Sequence, residues 1–515
     1  MKVIFIVPSA ISHRTSEENL GVGYLASVLR NNDINVIIID AWLEGLSEDE
    51  IEMRLDTELK KNEKIIMYGI STYVSNLNST SKIVSIIRKK DMKAFIVAGG
   101  FGPSFFVKKF LDVGIDVISI GEGEETILEL CTCLKNELHW KNIPGIAFYQ
   151  NGNIMRTRPR TLINDLDSIP IPARDTIEFV VKKKSSINIL SSRGCKGHCV
   201  FCSVIAFQKL CTGEVWRQRS IKNFVDELEF LYDQGFNFFK VIDDSFIEYP
   251  RDDNWCKELF KEISSRNIKV MLRGSLVAER VTDETVYYLK KAGFFSIACG
   301  IENFSNTMLK RLGKRATKSD NIKALEVLKR HDLYVQCGFI LFDPFTTLEE
   351  LRENLFYMKK YNWVLCKGVF SELYAAEGTD FTNELLLNNG TGELIQKDEN
   401  YIYRINDKKV YSIYCALKKW QKSYEHLYNL IIDPLTAPKN ISFESMKCLY
   451  NIYLTIREKD LNLFEDLLNS DNDHLNIVEN KIVESRNIRK NAIKQALKIY
   501  EKEEIVYDGE LNRYL

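Results

Sequence analysis

The sequence predicts an α/β protein with three parts: a doubly wound domain at residues 1–149, a partial (β/α)6 barrel at 185–376 and a helical region at 377–515. Apolar strand-like runs alternate with amphipathic helical patterns up to a helix that starts near residue 124, and the alternation resumes at residue 187. Beyond residue 377 only helical patterns remain. A proline-containing stretch at 150–184 reads as a linker. The length of 515 residues suits about three domains.

The N-terminal domain opens with a continuous apolar run at residues 2–7, which is typical of a strand buried on both faces. Further strands are predicted at 35–40, 65–71, 94–98 and 116–120, with helices at 20–31 and 79–90 and from residue 124. This spacing indicates an open parallel sheet, whose ligands sit at the carboxyl ends of its strands. Small and glycine residues are concentrated at those ends and allow close backbone approach to a large ligand: Ser71, Gly99, Gly100, Ser104, Gly121 and Gly123, together with Glu122.

The middle domain repeats the alternation six times, which suits a partial barrel. Strands are predicted at 187–190, 238–242, 270–272, 295–299, 334–341 and 368–373. Helices are predicted between them at 221–234, 254–265, 283–292, 318–330 and 348–361. The C-terminal region carries helical patterns at 410–429, 442–467 and 482–501.

Composition excludes several classes of protein. The net charge is −1, from 70 basic and 71 acidic residues, so no global field favours nucleic acid or an anionic membrane. Twelve cysteines are too few for a disulfide scaffold in a chain of this length. No apolar run approaches the roughly 20 residues that span a bilayer, and the N-terminus lacks a signal-peptide pattern. We therefore expect a cytoplasmic protein without nucleic-acid or membrane partners.

The most informative motif is the spacing of Cys195, Cys199 and Cys202 in a loop that follows the first strand of the middle domain. Thiolates at these intervals can bind three irons of a cubic iron–sulfur cluster and leave the fourth iron open. The alternative is a structural zinc site, which needs four ligands and would be completed by Cys211 or His198.

The cysteine motif and the predicted barrel resemble those of the radical S-adenosylmethionine (SAM) enzymes, in which SAM chelates the open iron of a [4Fe–4S] cluster. The resemblance implies that Phe201, Gly338 and Ile340 contact the adenine of SAM. It also implies that Asp243 and Asp244 contact its amino group, Arg273 its carboxylate and Glu302 its ribose hydroxyls. Purely structural alternatives remain for two of these residues: a capped turn at Asp243 and an ordinary ion pair at Arg273.

Two further features of the middle domain allow two interpretations each. Asp343-Pro344 replaces the glycine-rich turn that is common in these enzymes, and it either makes the same turn or reaches the substrate. Arg217 and Arg219 follow the cysteine loop, where they bind an anion or are simply solvated.

The N-terminal domain resembles the cobalamin-binding domain that precedes many radical SAM domains. The resemblance is carried by residues 20–26, by Gly99 and Gly100 with Ser104, and by residues 121–125. It implies that cobalamin contacts the residues named above at the carboxyl ends of the strands. The Asp-x-His-x-x-Gly loop of mutases is absent, and neither His13 nor His139 lies in such a context, so no cobalt ligand is named. Alternatively, the glycines only form tight turns in a domain that lacks the cofactor. A nucleotide site is less well supported, because the first strand is not followed by the glycine fingerprint.

Together the resemblances imply an enzyme that cleaves SAM to a 5′-deoxyadenosyl radical and transfers a methyl group from cobalamin to an unactivated carbon. A second SAM would remethylate cobalamin. The implied partners are a small-molecule or peptide substrate and a reductant such as flavodoxin or ferredoxin. The alternatives are a non-methylating radical rearrangement, cyclisation or oxidation with an empty N-terminal domain, and a zinc-stabilised binding module. No acid–base catalytic residue is assigned.

Overall fold

The computed structural model describes residues 1–9, 17–387, 395–397, 400–436, 439–471 and 473–505, so His13 lies outside the described residues. The chain forms two compact units. The first comprises Met1–Lys182, Ser192–Cys195 and Ser203–Asn223, and the second comprises Lys183–Ser191, Lys196–Cys202 and Phe224–Leu515. Among the helices of the described residues, none combines the length and the apolarity that crossing a membrane requires.

The first unit contains a seven-stranded sheet and its covering helices. The strands of the sheet are β1 (Lys2–Val7), β2 (Asn35–Asp40), β3 (Ile65–Ser71), β4 (Ile96–Gly99), β5 (Val117–Ser119), β6 (Ile146–Gln150) and β7 (Asn153–Arg156). The helices are α1 (Leu20–Arg30), α2 (Ala41–Glu44), α3 (Glu48–Leu59), α4 (Leu77–Lys90), α5 (Phe101–Phe105), α6 (Val107–Asp112), α7 (Glu124–Lys135) and α8 (Ile177–Lys182).

The sheet of the first unit has the order β2-β1-β3-β4-β5-β6-β7, and its first five strands are parallel. The order reverses at β1, so the predicted doubly wound topology is confirmed, and separate apolar cores cover the two faces. The antiparallel strands β6 and β7 were not predicted, and they extend the sheet into the stretch read as a linker.

A short antiparallel pair completes the first unit. Its strands are β9 (Ser192–Arg193) and β10 (Arg217–Gln218), and the helix α9 (Ser203–Gln208) lies between them in sequence. The three motif cysteines all lie on the chain between these two strands.

The second unit contains the barrel sheet, formed by β8 (Ile187–Ile189), β11 (Phe238–Val241), β12 (Met271–Val277), β13 (Phe294–Glu302) and β14 (Tyr334–Phe339). Its helices are α10 (Ile221–Asp233), which begins in the first unit, α11 (Asp253–Ser265), α12 (Asp283–Lys291), α13 (Asn306–Arg311), α14 (Lys318–Arg330) and α15 (Leu348–Lys360). All five strands are parallel, in the order β14-β13-β12-β11-β8.

The expected sixth strand at 368–373 does not form a continuous ladder. This segment and the residues before it make isolated parallel bridges instead, from Leu365 to Gln336 and from Glu372 to Phe342. Gly368 between them has a left-handed φ of 73°, which interrupts an extended strand. The partial barrel is therefore confirmed, with an irregular last position.

The remainder of the second unit is largely helical, as predicted. It contains β15 (Ala375–Ala376), α16 (Asp380–Leu387), β16 (Ile395–Lys397), β17 (Asn400–Ile402), α17 (Lys408–Thr436), α18 (Phe443–Asn469), α19 (His474–Glu484) and α20 (Arg486–Lys502). One apolar core joins these helices to the barrel, since Trp420, Tyr428 and Phe464 share a cluster with Phe238 and Leu341. Burial of such large side chains contributes roughly 1.5–3 kcal/mol each.

Candidate active site

The part of the cysteine loop in the second unit is fixed by backbone hydrogen bonds. Val200 donates to the carbonyl of Leu312 at 3.1 Å and accepts from the amide of Phe381 at 2.9 Å. Gly313 makes this approach possible, because a Cβ at that position would lie 2.8 Å from the His198 carbonyl oxygen and its φ is 66°. The loop therefore has a defined conformation next to Cys199 and Cys202.

None of the twelve cysteines forms a disulfide, and the three of the motif are half-buried. The amide of Cys202 donates to the carbonyl of Cys199 at 3.1 Å, which makes a tight turn between these two. Burial raises the pKa of the Cys199 thiol, while the positive charge of Lys314 acts in the opposite direction. A thiol that needs a positive partner to ionise suits binding to an iron that supplies such a charge.

Glu302 is the last residue of β13 and lies at the carboxyl edge of the barrel sheet. It adopts a left-handed φ of 58°, and the register of β13 against β14 shifts between Cys299 and Glu302. This bulge turns the side chain toward the ammonium of Lys314, 3.6 Å away, and the two side chains are only 17% and 7% exposed. Burial raises the pKa of Glu302, with Lys314 opposing that rise.

Gly300 and Gly338 make room for this pair. A Cβ at Gly300 would lie 3.2 Å from Lys314 Nζ and 3.3 Å from Glu302 Oε1, and a Cβ at Gly338 would lie 3.1 Å from Glu302 Oε2. All three distances are shorter than ordinary contacts. The two glycines therefore have a local packing role, in addition to the adenine contact that the resemblance implies for Gly338.

Asp243 and Asp244 follow β11 but have different surroundings. The carboxylate of Asp243 is buried, accepts from the amide of Ser191 at 2.7 Å and from its hydroxyl at 2.5 Å, and lies 3.6 Å from Arg251 Nη1. Asp244 is exposed. Of the two residues expected to contact the SAM amino group, Asp243 thus fixes the ends of two neighbouring strands, and Asp244 is the more accessible.

Arg273 was expected at the end of the third barrel strand, and the structure corrects this. β12 continues for four residues beyond it to Val277, so Arg273 is the third residue of a seven-residue strand. Its guanidinium donates to the side-chain oxygen of Gln336 on β14. The prediction placed the strand end too early because Gly274 and Ser275 interrupt the apolar pattern.

The apolar residues expected near adenine lie in one cluster. Phe201 packs against a group of buried side chains that includes Ile340, Met308 and Leu312. Nearby, Asp343 is buried and binds Arg311, with Nε at 2.8 Å, and it accepts from the amide of Phe345 at 2.9 Å. Asp343 therefore makes the strand-to-helix turn that was one of its two interpretations.

In the first unit, the carboxyl ends of β3 and β4 bring together Ser71, Gly99, Gly100 and Ser104. Ser71 and the two glycines are half-exposed, and the side-chain amide of Asn19 donates to the Ser71 hydroxyl at 3.2 Å. Gly100 has a φ of 104°, and a Cβ there would lie 3.0 Å from the Thr72 carbonyl oxygen. Ser104 is buried and donates to the Gly100 carbonyl at 2.8 Å, so its hydroxyl stabilises this turn.

The segment from Gly121 to Glu124 follows β5 at the same edge. Gly121 has a φ of 85°, and a Cβ there would lie 2.2 Å from the Cys211 sulfur. Gly123 precedes α7 and is half-exposed. Glu122 was expected to contact cobalamin, and its carboxylate binds Arg217 at 2.8 Å and the amide of Ile163 at 3.0 Å.

The two arginines after the cysteine loop are buried, so the expectation that they are simply solvated is wrong. Arg217 is buried and paired with Glu122. Arg219 is also buried and donates to the side-chain oxygen of Asn223 at 2.5 Å and to its carbonyl at 2.9 Å. His139, the other histidine of this domain, is exposed and lies beyond the end of α7.

These surroundings fit the implied groups. The thiols of the three motif cysteines are in no disulfide, and thiolates are the ligands that an iron–sulfur cluster requires. Across the described residues, no three His, Cys, Asp or Glu side chains are already arranged around one ion. Half-exposed glycines at the carboxyl edge of the first sheet provide the close backbone approach that a corrin ring needs.

The sequence did not single out Lys314, Glu248 or Arg315. Glu248 is fully buried and binds Arg315 at 2.7 Å, and Arg315 also binds Glu279 at 2.8 Å. These residues belong to different β/α segments, so no local motif indicates that they meet. The one available signal is Gly313 before Lys314, because a glycine after a helix indicates a turn.

Two family models match the chain. Residues 189–358 match the Radical SAM superfamily, and residues 10–131 match the B12 binding domain. The chain is a radical SAM enzyme with an N-terminal B12-binding domain. The cofactors of these domains are a [4Fe–4S] cluster, SAM and cobalamin, and the predicted cluster ligands Cys195, Cys199 and Cys202 lie within the stretch that matches the radical SAM model. The radical SAM match favours the cluster over the structural zinc site.

The chain is also similar to individual proteins. It is 28% identical over 374 residues to an uncharacterized methyltransferase of Pyrococcus horikoshii, covering 70% of this chain and 78% of the relative. It is 27% identical over 375 residues to the anaerobic magnesium-protoporphyrin IX monomethyl ester cyclase of a Synechocystis strain, covering 69% and 71%.

The fold is shared with a solved structure. The cobalamin-dependent S-adenosylmethionine radical enzyme OxsB, with aqua-cobalamin bound, matches with a TM-score of 0.77 and 20% identity. The match covers 100% of this chain and 82% of OxsB, so it includes the helical C-terminal region. At this identity the likeness concerns the fold alone.

Proposed function

We propose that this enzyme is a cobalamin-dependent methyltransferase that methylates an unactivated carbon of a small molecule or peptide. The observation that carries the proposal is the presence, in one chain, of a B12-binding domain directly ahead of a radical SAM domain. The relative from Pyrococcus horikoshii, named as a methyltransferase, supports it. A reductant such as flavodoxin or ferredoxin would supply the electron.

When bound, the cluster and SAM supply a 5′-deoxyadenosyl radical, and cobalamin supplies a methyl group that originates from a second SAM. The residues of this chain bind and orient the cofactors. Glu302 would accept bonds from the ribose hydroxyls of SAM, and the exposed Asp244 would accept from its ammonium. Phe201 and Ile340 would provide an apolar surface for adenine.

On the first unit, cobalamin would lie over the carboxyl ends of β3, β4 and β5. Ser71, Gly99, Gly100, Gly121 and Gly123 are half-exposed there and present backbone with little side-chain bulk. Ser104 and Glu122 would act indirectly, since their polar atoms already bind the chain itself.

Cobalamin retention tests the first requirement of this proposal. After anaerobic reconstitution with iron, sulfide and hydroxocobalamin and subsequent desalting, we expect about one cobalamin and about four irons per chain. A full cluster without cobalamin would contradict the methyltransferase proposal.

A pair of variants at Gly99 locates the cofactor. A Cβ at Gly99 would meet its nearest atom, Ser119 Cβ, at 3.6 Å, so Gly99→Ala fits without strain. Gly99→Leu places bulk over the strand end, and we expect it to retain cobalamin about ten-fold more weakly, the equivalent of 1.4 kcal/mol. Equal retention by both variants, with unchanged thermal unfolding, would contradict this location.

A non-methylating cyclisation is the second candidate function, because one relative is named as a cyclase. It predicts 5′-deoxyadenosine from SAM without S-adenosylhomocysteine. Methylation predicts both by-products, so their ratio after turnover distinguishes the two candidates.

A further inference from the structure

The chain segment with the three cysteines begins and ends at one short strand pair. Arg193 of β9 lies opposite Arg217 of β10, and Ser192 lies opposite Gln218. Two guanidinium groups at directly opposed positions repel each other unless counter-charges are present. The structure supplies these from the segment that follows β5 and begins α7.

Glu122 and Glu124 neutralise the two arginines. Arg193 Nη2 lies 2.6 Å from Glu124 Oε1, and Arg193 Nη1 lies 3.3 Å from Glu122 Oε1. Arg217 Nη1 lies 2.8 Å from Glu122 Oε1 and also donates to the carbonyl of Ile163 at 3.0 Å. The four side chains are between 4% and 14% exposed, so water screens these pairs little.

Burial makes these pairs sensitive to the loss of one partner. Desolvation disfavours the charge of Glu124, yet Arg193 lowers the pKa of this carboxyl. A buried charge that loses its partner is strongly destabilising, so neutralising one member disturbs the others. The strand pair therefore depends on both carboxylates.

The connection from Arg193 to Cys195 leaves little freedom. Gly194 has a φ of 86°, and a Cβ there would lie 1.9 Å from the Val215 carbonyl oxygen. In the amide orientation that satisfies its neighbours, Gln208 donates to the Cys195 carbonyl at 3.2 Å and accepts from the Cys195 amide at 2.7 Å. One side chain thus binds both the amide and the carbonyl of the first cysteine.

We propose that Glu122 and Glu124 are positioning residues for the iron–sulfur cluster. Through Arg193 and Arg217 they hold the strand pair that precedes Cys195, and they thereby fix the backbone that carries this thiol. The inference rests on the cluster-binding part of the proposed function and is independent of methyl transfer. It also gives Glu122 a role other than the cobalamin contact expected from the sequence.

Glu124→Gln tests the proposal, with Glu125→Gln as its matched control. Glu125 is the next residue of α7 and pairs with Arg160 at 2.8 Å, but its side chain is 54% exposed. The reconstituted full-length proteins are treated anaerobically with a ferrous-iron chelator, and iron release is followed by absorbance. Changing a residue that supports a metal ligand typically weakens metal binding by about 10- to 100-fold, so we expect Glu124→Gln to release iron about ten-fold faster and to change the spin-resonance spectrum of the reduced cluster.

The control defines the outcome that would overturn the proposal. Glu125→Gln should release iron at the rate of the unchanged protein. Equal rates and equal spectra for both variants would show that the network has no role in holding the cluster.

A second variant covers the case in which Glu124→Gln fails to fold. Gln208→Met keeps the side-chain volume and removes both bonds to the Cys195 backbone, and we expect the same faster iron release. Retained cobalamin reports on the first unit in each variant. Unchanged iron release in a folded Gln208→Met would contradict the proposal. If the variants release iron faster but the unchanged protein transfers no methyl group, only the methyltransferase function is contradicted.

Discussion

Glu302 and Lys314 illustrate how single residues are placed at the edge of the barrel sheet. A left-handed backbone at Glu302 and two flanking glycines, Gly300 and Gly338, allow a buried carboxylate and a buried ammonium to meet. Desolvation works against the charge of Lys314, yet Glu302 and then the Cys199 thiol raise its pKa. A non-glycine residue with left-handed φ costs of order 1–3 kcal/mol, and such strain is concentrated at functional sites.

This placement gives a prediction for Glu302. Glu302→Ala removes the carboxylate expected to bind ribose, and hydrogen bonds to charged groups are worth about 1.5–3 kcal/mol, so SAM should bind roughly 10- to 100-fold more weakly. Equilibrium dialysis of SAM against the reconstituted protein measures this effect. Glu353→Ala, which removes a partly exposed partner of Lys318, should leave binding unchanged. Equal affinity for both variants would exclude a ribose contact.

The sequence identifies residues when their spacing alone carries the chemistry, as for Cys195, Cys199 and Cys202. It did not identify Lys314 or the pairing of Arg193 with Glu124. The partners are distant in sequence, and each of these charged residues could equally have been solvent-exposed. Glu122 shows the converse: its position after a parallel strand was predicted correctly, but its partner Arg217 decides what the carboxylate does.

At the scale of elements, periodicity predicted most of the structure. β2 and β3 begin and end where the apolar runs do. The hairpin of β6 and β7 was missed because all four residues of β7 are exposed and show no apolar alternation. A signal was present: Asn151 and Gly152 both have positive φ, and this dipeptide is typical of a two-residue hairpin turn.

The C-terminal helices are joined by a buried polar group. Asp460 of α18 accepts from Trp420 Nε1 at 2.8 Å and from the Tyr428 hydroxyl at 2.7 Å, both on α17. The two bonds use one oxygen, and the other is buried without a hydrogen-bond partner among the described residues. Burial raises the pKa of Asp460 to about 6. The folded state is therefore more stable when this carboxyl is protonated than when it is ionised.

The raised pKa fixes the sign of a pH effect. Because the folded pKa exceeds the unfolded value of about 4, the stabilisation is complete below about pH 4 and is lost as the pH rises through about 6. Asp460→Asn keeps an accepting oxygen without the charge, so we expect a higher unfolding midpoint at pH 7.5, by the equivalent of at most about 3 kcal/mol. Thermal unfolding between pH 5.5 and 8 measures it.

Asp460→Ala is the control for this prediction. It leaves the donors of Trp420 and Tyr428 unpaired in the core, so it should lower the unfolding midpoint at every pH. An Asp460→Asn protein that is less stable than the unchanged protein at pH 7.5, with the same pH profile, would contradict the assignment.

At the scale of the whole molecule, the order of the parts carries the functional argument. A B12-binding domain precedes a radical SAM domain, and a helical region follows that shares its core with the barrel. The sequence predicted this order from the glycine stretches of the first part, the cysteine motif of the second and the end of the β/α alternation before the third. The substrate is not encoded in any such pattern, since it depends on side chains that many separate segments contribute.

The most direct test of the central claim follows a labelled methyl group from SAM. The reconstituted protein with bound cobalamin is reduced with titanium(III) citrate and given SAM whose methyl group carries deuterium, and cobalamin and nucleosides are analysed by mass spectrometry. The account predicts a deuterated methyl group on cobalamin together with S-adenosylhomocysteine. It also predicts 5′-deoxyadenosine that disappears in Cys199→Ser. Cobalamin that stays bound but unlabelled while 5′-deoxyadenosine accumulates would contradict the methyltransferase assignment.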